Sequence, residues 1–179
     1  MHSNQRKEKV GRIMIVDDNP ENLRTLKAML ECQGYETLAA ISGELALETL
    51  NEITPDLIFL DVMMPGMDGY EVCERIKASK NTKNIPIIFV SALTETFNKV
   101  KSFKMGAVDY VVKPFEVEEV YQRVRTHLRL HWQMEEIESF NAAMVNRELR
   151  IIELKKEVNK LAAELGRAPL YLQEQENVT

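Results

Sequence analysis

Four apolar residues, Leu57-Ile58-Phe59-Leu60, run without a break into one carboxylate, Asp61, and Pro65, Gly66 and Gly69 crowd the loop that follows. A strand with one wet face alternates apolar and polar side chains, whereas a strand covered on both faces reads as a continuous apolar run. The stretch therefore predicts a central strand packed on both sides, with Asp61 delivered to its carboxyl end. The same grammar of apolar run, turn and helix-spaced segment recurs five times, with runs at residues 13–16, 37–40, 57–60, 85–90 and 108–112. Such alternation predicts βα units around a parallel sheet.

The intervening segments carry their own start and stop signals. Asn19 is placed to cap a helix whose first position is Pro20, where a missing N–H costs nothing. Leu23, Leu26 and Leu30 form its inward stripe, and Gly34 ends it. Ser42 opens a second helix with Leu45, Ala46, Leu50 and Ile53 as its apolar positions. Asp68, with Glu71 three residues on, marks the start of a third, which turns Val72, Cys73 and Ile76 inward. Phe97, Val100 and Phe103 mark a fourth. A fifth runs from Glu116 to about Leu128, with Val117, Val120, Val124 and Leu128 on one face.

Beyond Leu128 the grammar changes. No Gly or Pro occurs from Phe115 to Leu165, so nothing obliges the fifth helix to stop with the domain. Leu130, Ile137, Met144, Ile151, Val158 and Leu165 recur every seven residues, and Phe140, Leu154 and Leu161 fall three later. This is the spacing of a coiled-coil seam. Gln133 and Arg147 interrupt it, and Val145, Leu149 and Ile152 form a second apolar patch. Gly166 and Pro169 end the helix. The expected organisation is a disordered lead over residues 1–10, an α/β domain over 11–130, a helical coiled-coil dimerisation or signalling segment over 131–168, and a frayed end over 169–179. The expected assembly is a homodimer through the last helix.

Composition narrows the partners. The net charge of −5 comes with both signs interspersed, without the clustered Lys and Arg of a nucleic-acid footprint, so no nucleic-acid partner is expected. The polar start and the lack of any run of about 18 apolar residues predict neither a leader nor a membrane span. Cys32 and Cys73 are too few for a disulfide framework or a zinc site, and a cytoplasmic location is expected.

If the five runs are parallel neighbours, Asp17, Asp18, Asp61, Ser91 and Lys113 all stand at carboxyl ends, the edge where open α/β sheets place their ligands. Three carboxylates brought together repel and raise one another's pKa unless a cation sits among them. A small set of oxygen ligands suits Mg²⁺, which keeps several waters and favours phosphate partners. Lys113 adds a point charge for a phosphoryl oxygen, and Ser91 a hydrogen-bond donor. The constellation predicts a site for a phosphoryl group with a metal.

These residues carry a family resemblance. Asp17-Asp18 after the first run, Asp61 after the third, Ser91-Ala92 after the fourth, Tyr110 in the fifth and Lys113-Pro114 after it closely resemble the receiver domains of bacterial two-component response regulators, over roughly residues 11–130. The resemblance implies a flavodoxin-like five-stranded parallel sheet in the order 2-1-3-4-5 with helices on both faces, its last helix extended here into a long tail. It further implies that Asp61 is the phosphoacceptor, taking a phosphoryl group from the phosphohistidine of a histidine kinase or phosphotransfer protein. Asp18, Asp61 and the Met63 backbone carbonyl would bind Mg²⁺ directly and Asp17 through water. Lys113 and Ser91 would hold the phosphoryl oxygens, with the Lys113–Pro114 bond cis, and Ser91 and Tyr110 would form the switch read on the face of the fourth helix, fifth strand and fifth helix. Such a chain modifies itself and is not a turnover enzyme.

Other functions fit less well. A phosphohydrolase built on a strand-end aspartate requires a second Asp two residues on, where Met63 stands. No glycine-rich phosphate loop follows a strand, which counts against nucleotide-cofactor enzymes. A coiled-coil adaptor that is never phosphorylated would have no need of the complete acidic constellation. His127 and His131 lack the acidic residue and Pro that follow the phosphorylated histidine of kinase dimerisation helices, and read as surface or interface histidines. Trp132 reads as packing, and the methionines of the 63–67 loop as packing and turn chemistry.

Overall fold

A computed structural model describes the chain over residues 10–92 and 104–171. The expected fourth helix around Phe97, Val100 and Phe103, the lead 1–9 and the end 172–179 lie outside these described residues. Two compact units make up the chain, Met1–Trp132 and Gln133–Thr179. The elements in order are β1 (Arg12–Val16), α1 (Pro20–Cys32), β2 (Glu36–Ala40), α2 (Gly43–Glu52), β3 (Leu57–Asp61), α3 (Gly69–Ala78), β4 (Ile87–Ala92), β5 (Asp109–Lys113) and the long helix α4 (Val117–Glu164).

The strands form one parallel sheet in the order β2-β1-β3-β4-β5. All five residues of β3 are buried, as its unbroken apolar run requires. Pleating sends alternate residues to opposite faces. Met14, Val16, Ile58, Leu60 and Phe89 pack with Ala46 and Leu50 of α2 and Val72, Cys73 and Ile76 of α3. Ile13, Ile15, Leu57, Phe59, Ile88 and Val111 pack with Leu23, Leu26 and Leu30 of α1 and Val120, Val124 and Leu128 of α4. Each Val, Leu, Ile, Phe or Met among them, taken fully out of water, contributes roughly 1.5–3 kcal/mol. The Tyr121 hydroxyl also donates to the Met29 carbonyl at 2.9 Å, tying α4 to α1.

The caps are where the sequence places them. The Asn19 side chain accepts the Glu21 N–H at 2.8 Å, Ser42 that of Leu45 at 3.3 Å and Asp68 that of Glu71 at 2.8 Å. Two apolar positions expected inside lie outside. Leu45 is 40% exposed and Val117 45% exposed: the buried stripe of α2 is Gly43, Ala46 and Leu50, which leaves Leu45 on its flank, and Val117 is the first residue of α4. Strand β4 begins at Ile87 because Pro86 has no N–H for the ladder, although its carbonyl accepts from Ile58 at 3.0 Å.

At the amino ends of the strands the Asp56 carboxylate accepts the Arg12 N–H at 2.8 Å and the Trp132 indole N–H at 2.8 Å. A Cβ at Gly11 would lie 2.8 Å from Leu128 Cδ1, so that side chain would have to shift. In the second unit Gly166 takes φ +67 and the Arg167 N–H reaches back to the Ala162 carbonyl at 2.8 Å, a left-handed helix stop. Leu170 and Tyr171 lie against Asn159 of the helix. Both backbone N–H groups donate to Asn159 Oδ1 at 2.9 Å, and Asn159 Nδ2 donates to the Tyr171 carbonyl at 2.7 Å.

Candidate functional site

Strand β1 ends at Val16, so Asp17 and Asp18 emerge from the carboxyl edge of the sheet beside Asp61, the last residue of the neighbouring β3. Asp17 and Asp61 are buried and Asp18 is exposed, and one carboxylate oxygen from each lies within 4.8 Å of the others. Asp17 Oδ1 accepts the Asn19 N–H at 2.8 Å and Asn22 Nδ2 at 3.0 Å. Asn22 Nδ2 also reaches Oδ2 at 3.1 Å, which fixes the carboxylate plane, and Lys113 Nζ lies 2.8 Å from the same oxygen.

Lys113 closes β5 and reaches over the end of β4 to Asp61 Oδ2 at 2.7 Å. One ammonium thus bridges the two buried carboxylates. The loop after β3 is held close to the site: the Met63 N–H donates to Asp61 Oδ1 at 3.4 Å and the Gly69 N–H to the Val62 carbonyl at 3.1 Å. Gly69 packs directly on the Asp61 backbone carbonyl, where any Cβ would collide. The Met63 side chain faces solvent.

Ser91 is buried in β4, one residue beyond the partner of Asp61 in the ladder. Its hydroxyl donates to the adjacent Ala92 carbonyl at 2.9 Å. Tyr110 is half-buried, with its ring beneath the Arg123 guanidinium of α4 at 5.7 Å. The Lys113–Pro114 bond is cis. The expected site residues of the first unit therefore converge on one edge, with Tyr110 on the flank of β5.

The electrostatics favour a cation. Burial raises the Asp61 carboxyl above its ordinary value, the Asp17 charge adds to this, and Lys113 only partly offsets it. Burial alone would lower the Lys113 ammonium, but its hydrogen bonds to Asp17 and Asp61 outweigh that and raise it. Three carboxylates against one ammonium leave a negative excess. Their few hard oxygen donors fit a divalent ion that retains water, such as Mg²⁺.

Of the seam residues, Ile137, Phe140, Met144, Ile151, Leu154 and Leu161 are exposed on α4, Phe140 at 64%, as is Leu165 just past its end, while Val158 is half-buried. Sequence reasoning passed over a second polar cluster. Asp109 opens β5 and accepts from Arg123, from His127 Nε2 at 2.9 Å and from the Tyr110 N–H at 2.8 Å. Burial pushes the Asp109 carboxyl up, but these donors, His127 foremost, prevail and hold it at about 2. His127, read as an ordinary surface or interface residue, is part of this network. The i, i+4, i+8 spacing of Glu119, Arg123 and His127 was the available signal, but it acquires meaning only when β5 lies alongside. Asn22, which orients Asp17, had no sequence signal.

Among the described residues no helix is long and apolar enough to cross a membrane. The family described as response regulator receiver domain matches residues 13–125. The DNA-binding dual master transcriptional regulator RpaA of Synechocystis is 40% identical over 118 residues, covering 66% of this chain and 49% of that protein. The response regulator PleD of Caulobacter vibrioides is 32% identical over 172 residues, covering 87% of this chain and 38% of that protein. A solved receiver domain of a sensor histidine kinase from Pseudomonas aeruginosa, with a magnesium ion coordinated in its active site cleft, is 28% identical with a TM-score of 0.62, over 66% of this chain and 98% of that one. The chain thus spans half or less of the length of these two curated relatives. RpaA is by name DNA-binding, so the expectation of no nucleic-acid partner gains no support from it.

Proposed function

Because the chain belongs to the response regulator receiver domain family, we propose that Asp61 accepts a phosphoryl group from the phosphohistidine of a histidine kinase or phosphotransfer protein. An Asp61 carboxylate oxygen attacks phosphorus, the phosphorus–nitrogen bond breaks, and neutral imidazole departs with a proton from solvent. The observation that carries this reading is the pairing of Lys113 Nζ with both Asp61 and Asp17 beside a third carboxylate.

Asp61, Asp18 and the Met63 carbonyl are assigned as direct Mg²⁺ ligands, with Asp17 acting through water. When bound, the ion neutralises charge that builds on the transferring oxygens. Lys113 holds one phosphoryl oxygen after leaving its carboxylate partners. The Ser91 hydroxyl gives up the Ala92 carbonyl to donate to another, and Tyr110 follows inward. The magnesium in the Pseudomonas receiver supports the metal assignment.

On this reading residues 11–130 are the receiver and 131–168 a signalling segment that pairs as a coiled coil with a second copy through Ile137, Phe140, Met144, Ile151, Leu154, Val158, Leu161 and Leu165. The receiver acts only on itself, in the cytoplasm, and its output is a protein partner or a further domain. The exposed seven-residue repeat supports the pairing.

Incubation with a phosphohistidine donor and Mg²⁺ should label the natural chain and not Asp61→Asn. Equal labelling of both overturns the assignment, and chelation of Mg²⁺ should abolish labelling. Light scattering should give a dimer mass, which Ile151→Asp with Leu154→Asp reduces to that of a monomer. A monomer for the natural chain with and without beryllofluoride rejects the coiled-coil reading.

A further inference from the structure

Asp17 is the most heavily hydrogen-bonded acid of the site. It is buried, and its oxygens take four donor contacts. Oδ1 accepts the Asn19 N–H at 2.8 Å and Asn22 Nδ2 at 3.0 Å, and Oδ2 accepts Asn22 Nδ2 at 3.1 Å and Lys113 Nζ at 2.8 Å. A carboxylate offers about four lone-pair sites, so Asp17 has none to spare for a cation. Asp61 accepts the more distant Met63 N–H and Lys113, and Asp18 is exposed.

Distance does not exclude Asp17 from a metal. One oxygen from each of the three acids lies within 4.8 Å of the others. A Ca²⁺ ion, with bonds of ~2.3–2.6 Å, reaches oxygens that far apart, whereas Mg²⁺, with bonds of ~2.0–2.1 Å, requires them within ~4.2 Å. Asn22 is the one donor that touches both Asp17 oxygens. It stands in the first turn of α1, next to Leu23, whose side chain is anchored in the core. Turning Asp17 toward a cation breaks the Asn22 contact to at least one oxygen, and a hydrogen bond to an anion is roughly twice as strong as a neutral one.

We propose that Asn22 is a positioning residue that keeps Asp17 out of direct contact with the metal and thereby sets the preference of the site for Mg²⁺ over Ca²⁺. The inference rests on the metal reading of Asp18, Asp61 and the Met63 carbonyl, and adds what confines the direct ligands to that set. With Asp17 held back, few protein oxygens meet the ion and the rest of its shell stays with water, which suits Mg²⁺. With Asp17 released, a third carboxylate joins them, which suits the larger ion and its higher ligand number.

The test is titration calorimetry of the full chain with Mg²⁺ alone and with Ca²⁺ alone. Asn22→Leu, which keeps the size and removes the donor, should raise the ratio of Ca²⁺ to Mg²⁺ affinity by roughly fivefold or more. Asn22→Gln keeps a carboxamide and should stay closer to the natural ratio. Adding Asp17→Asn to Asn22→Leu should return the ratio to within about twofold of the natural one, because the released carboxylate is then gone. With Mn²⁺ as the probe, water relaxation should count one bound water fewer in Asn22→Leu than in the natural chain. Asn22→Ala takes the place of Asn22→Leu if circular dichroism finds the latter unfolded. An unchanged ratio, a parallel fall in both affinities, or a raised ratio that survives Asp17→Asn overturns the inference. Absence of Mg²⁺ binding by the natural chain overturns the metal reading and this inference with it, so the two failures are distinguishable.

Discussion

Replacing Asp109 by Asn should remove stability in a pH-dependent manner whose sign follows from the hydrogen bonds that its carboxylate accepts. The Asp109 carboxylate accepts from Arg123, His127 and the Tyr110 N–H. Burial opposes its ionisation, but the donors bring the carboxyl from an ordinary 3.8 to about 2. At ~1.4 kcal/mol per pH unit this gap corresponds to ~2.4 kcal/mol. The side chain retains 18% exposure and the cluster borders solvent, so screening reduces the expected contribution to about 1–1.5 kcal/mol. Because the folded value lies below the unfolded one, the contribution is complete above about pH 4 and is lost as pH falls toward 2. Urea unfolding followed by circular dichroism should find Asp109→Asn less stable by about 1–1.5 kcal/mol at pH 7, or about 3–5 °C in Tm. The two proteins should converge near pH 2. An equal deficit at both pH values would refute the reasoning, since the loss would then come from packing and not from charge.

Other outcomes follow from the same geometry. Gly69→Ala would drive a Cβ onto the Asp61 carbonyl and should destabilise the fold by about 2 kcal/mol or more in urea unfolding while slowing Asp61 labelling. Lys113→Ala removes the ammonium shared by Asp17 and Asp61. Titration calorimetry should show Mg²⁺ bound no more weakly, while labelling falls at least ~tenfold. Trp132→Phe loses the indole donor to Asp56 and should cost about 1–2 kcal/mol. Labelling of Asp61 should be unchanged, because Asp56 lies at the amino ends of the strands.

Much of the acidic site was legible in the chain because each of its parts is announced locally. An apolar run that stops at Asp61, a carboxylate pair after the first run and a lysine before Pro114 each mark a strand end, and parallel strands bring such ends to one edge. The helix caps were equally legible, since Asn19, Ser42 and Asp68 act on N–H groups two or three residues away. Leu45 and Val117 were misread because a helical stripe says which residues share a face but not how wide a part of that face the sheet covers.

The sequence by itself determined the layered architecture, the edge that carries the acids and the long final helix, because all three depend on short-range patterning and burial. Only the tertiary structure decided that Lys113 reaches across β4 to two carboxylates and that Asn22 orients Asp17. It also brought Arg123 around the edge strand to both Asp109 and Tyr110, and Trp132 to Asp56. Apart from Asn22 and Asp17, these partners are separated along the chain by whole elements, and a charge on one helix turn carries no mark of the strand it will meet. Hydrogen bonds and ion pairs are directional and close only at about 3 Å, a distance that packing sets and periodicity does not record.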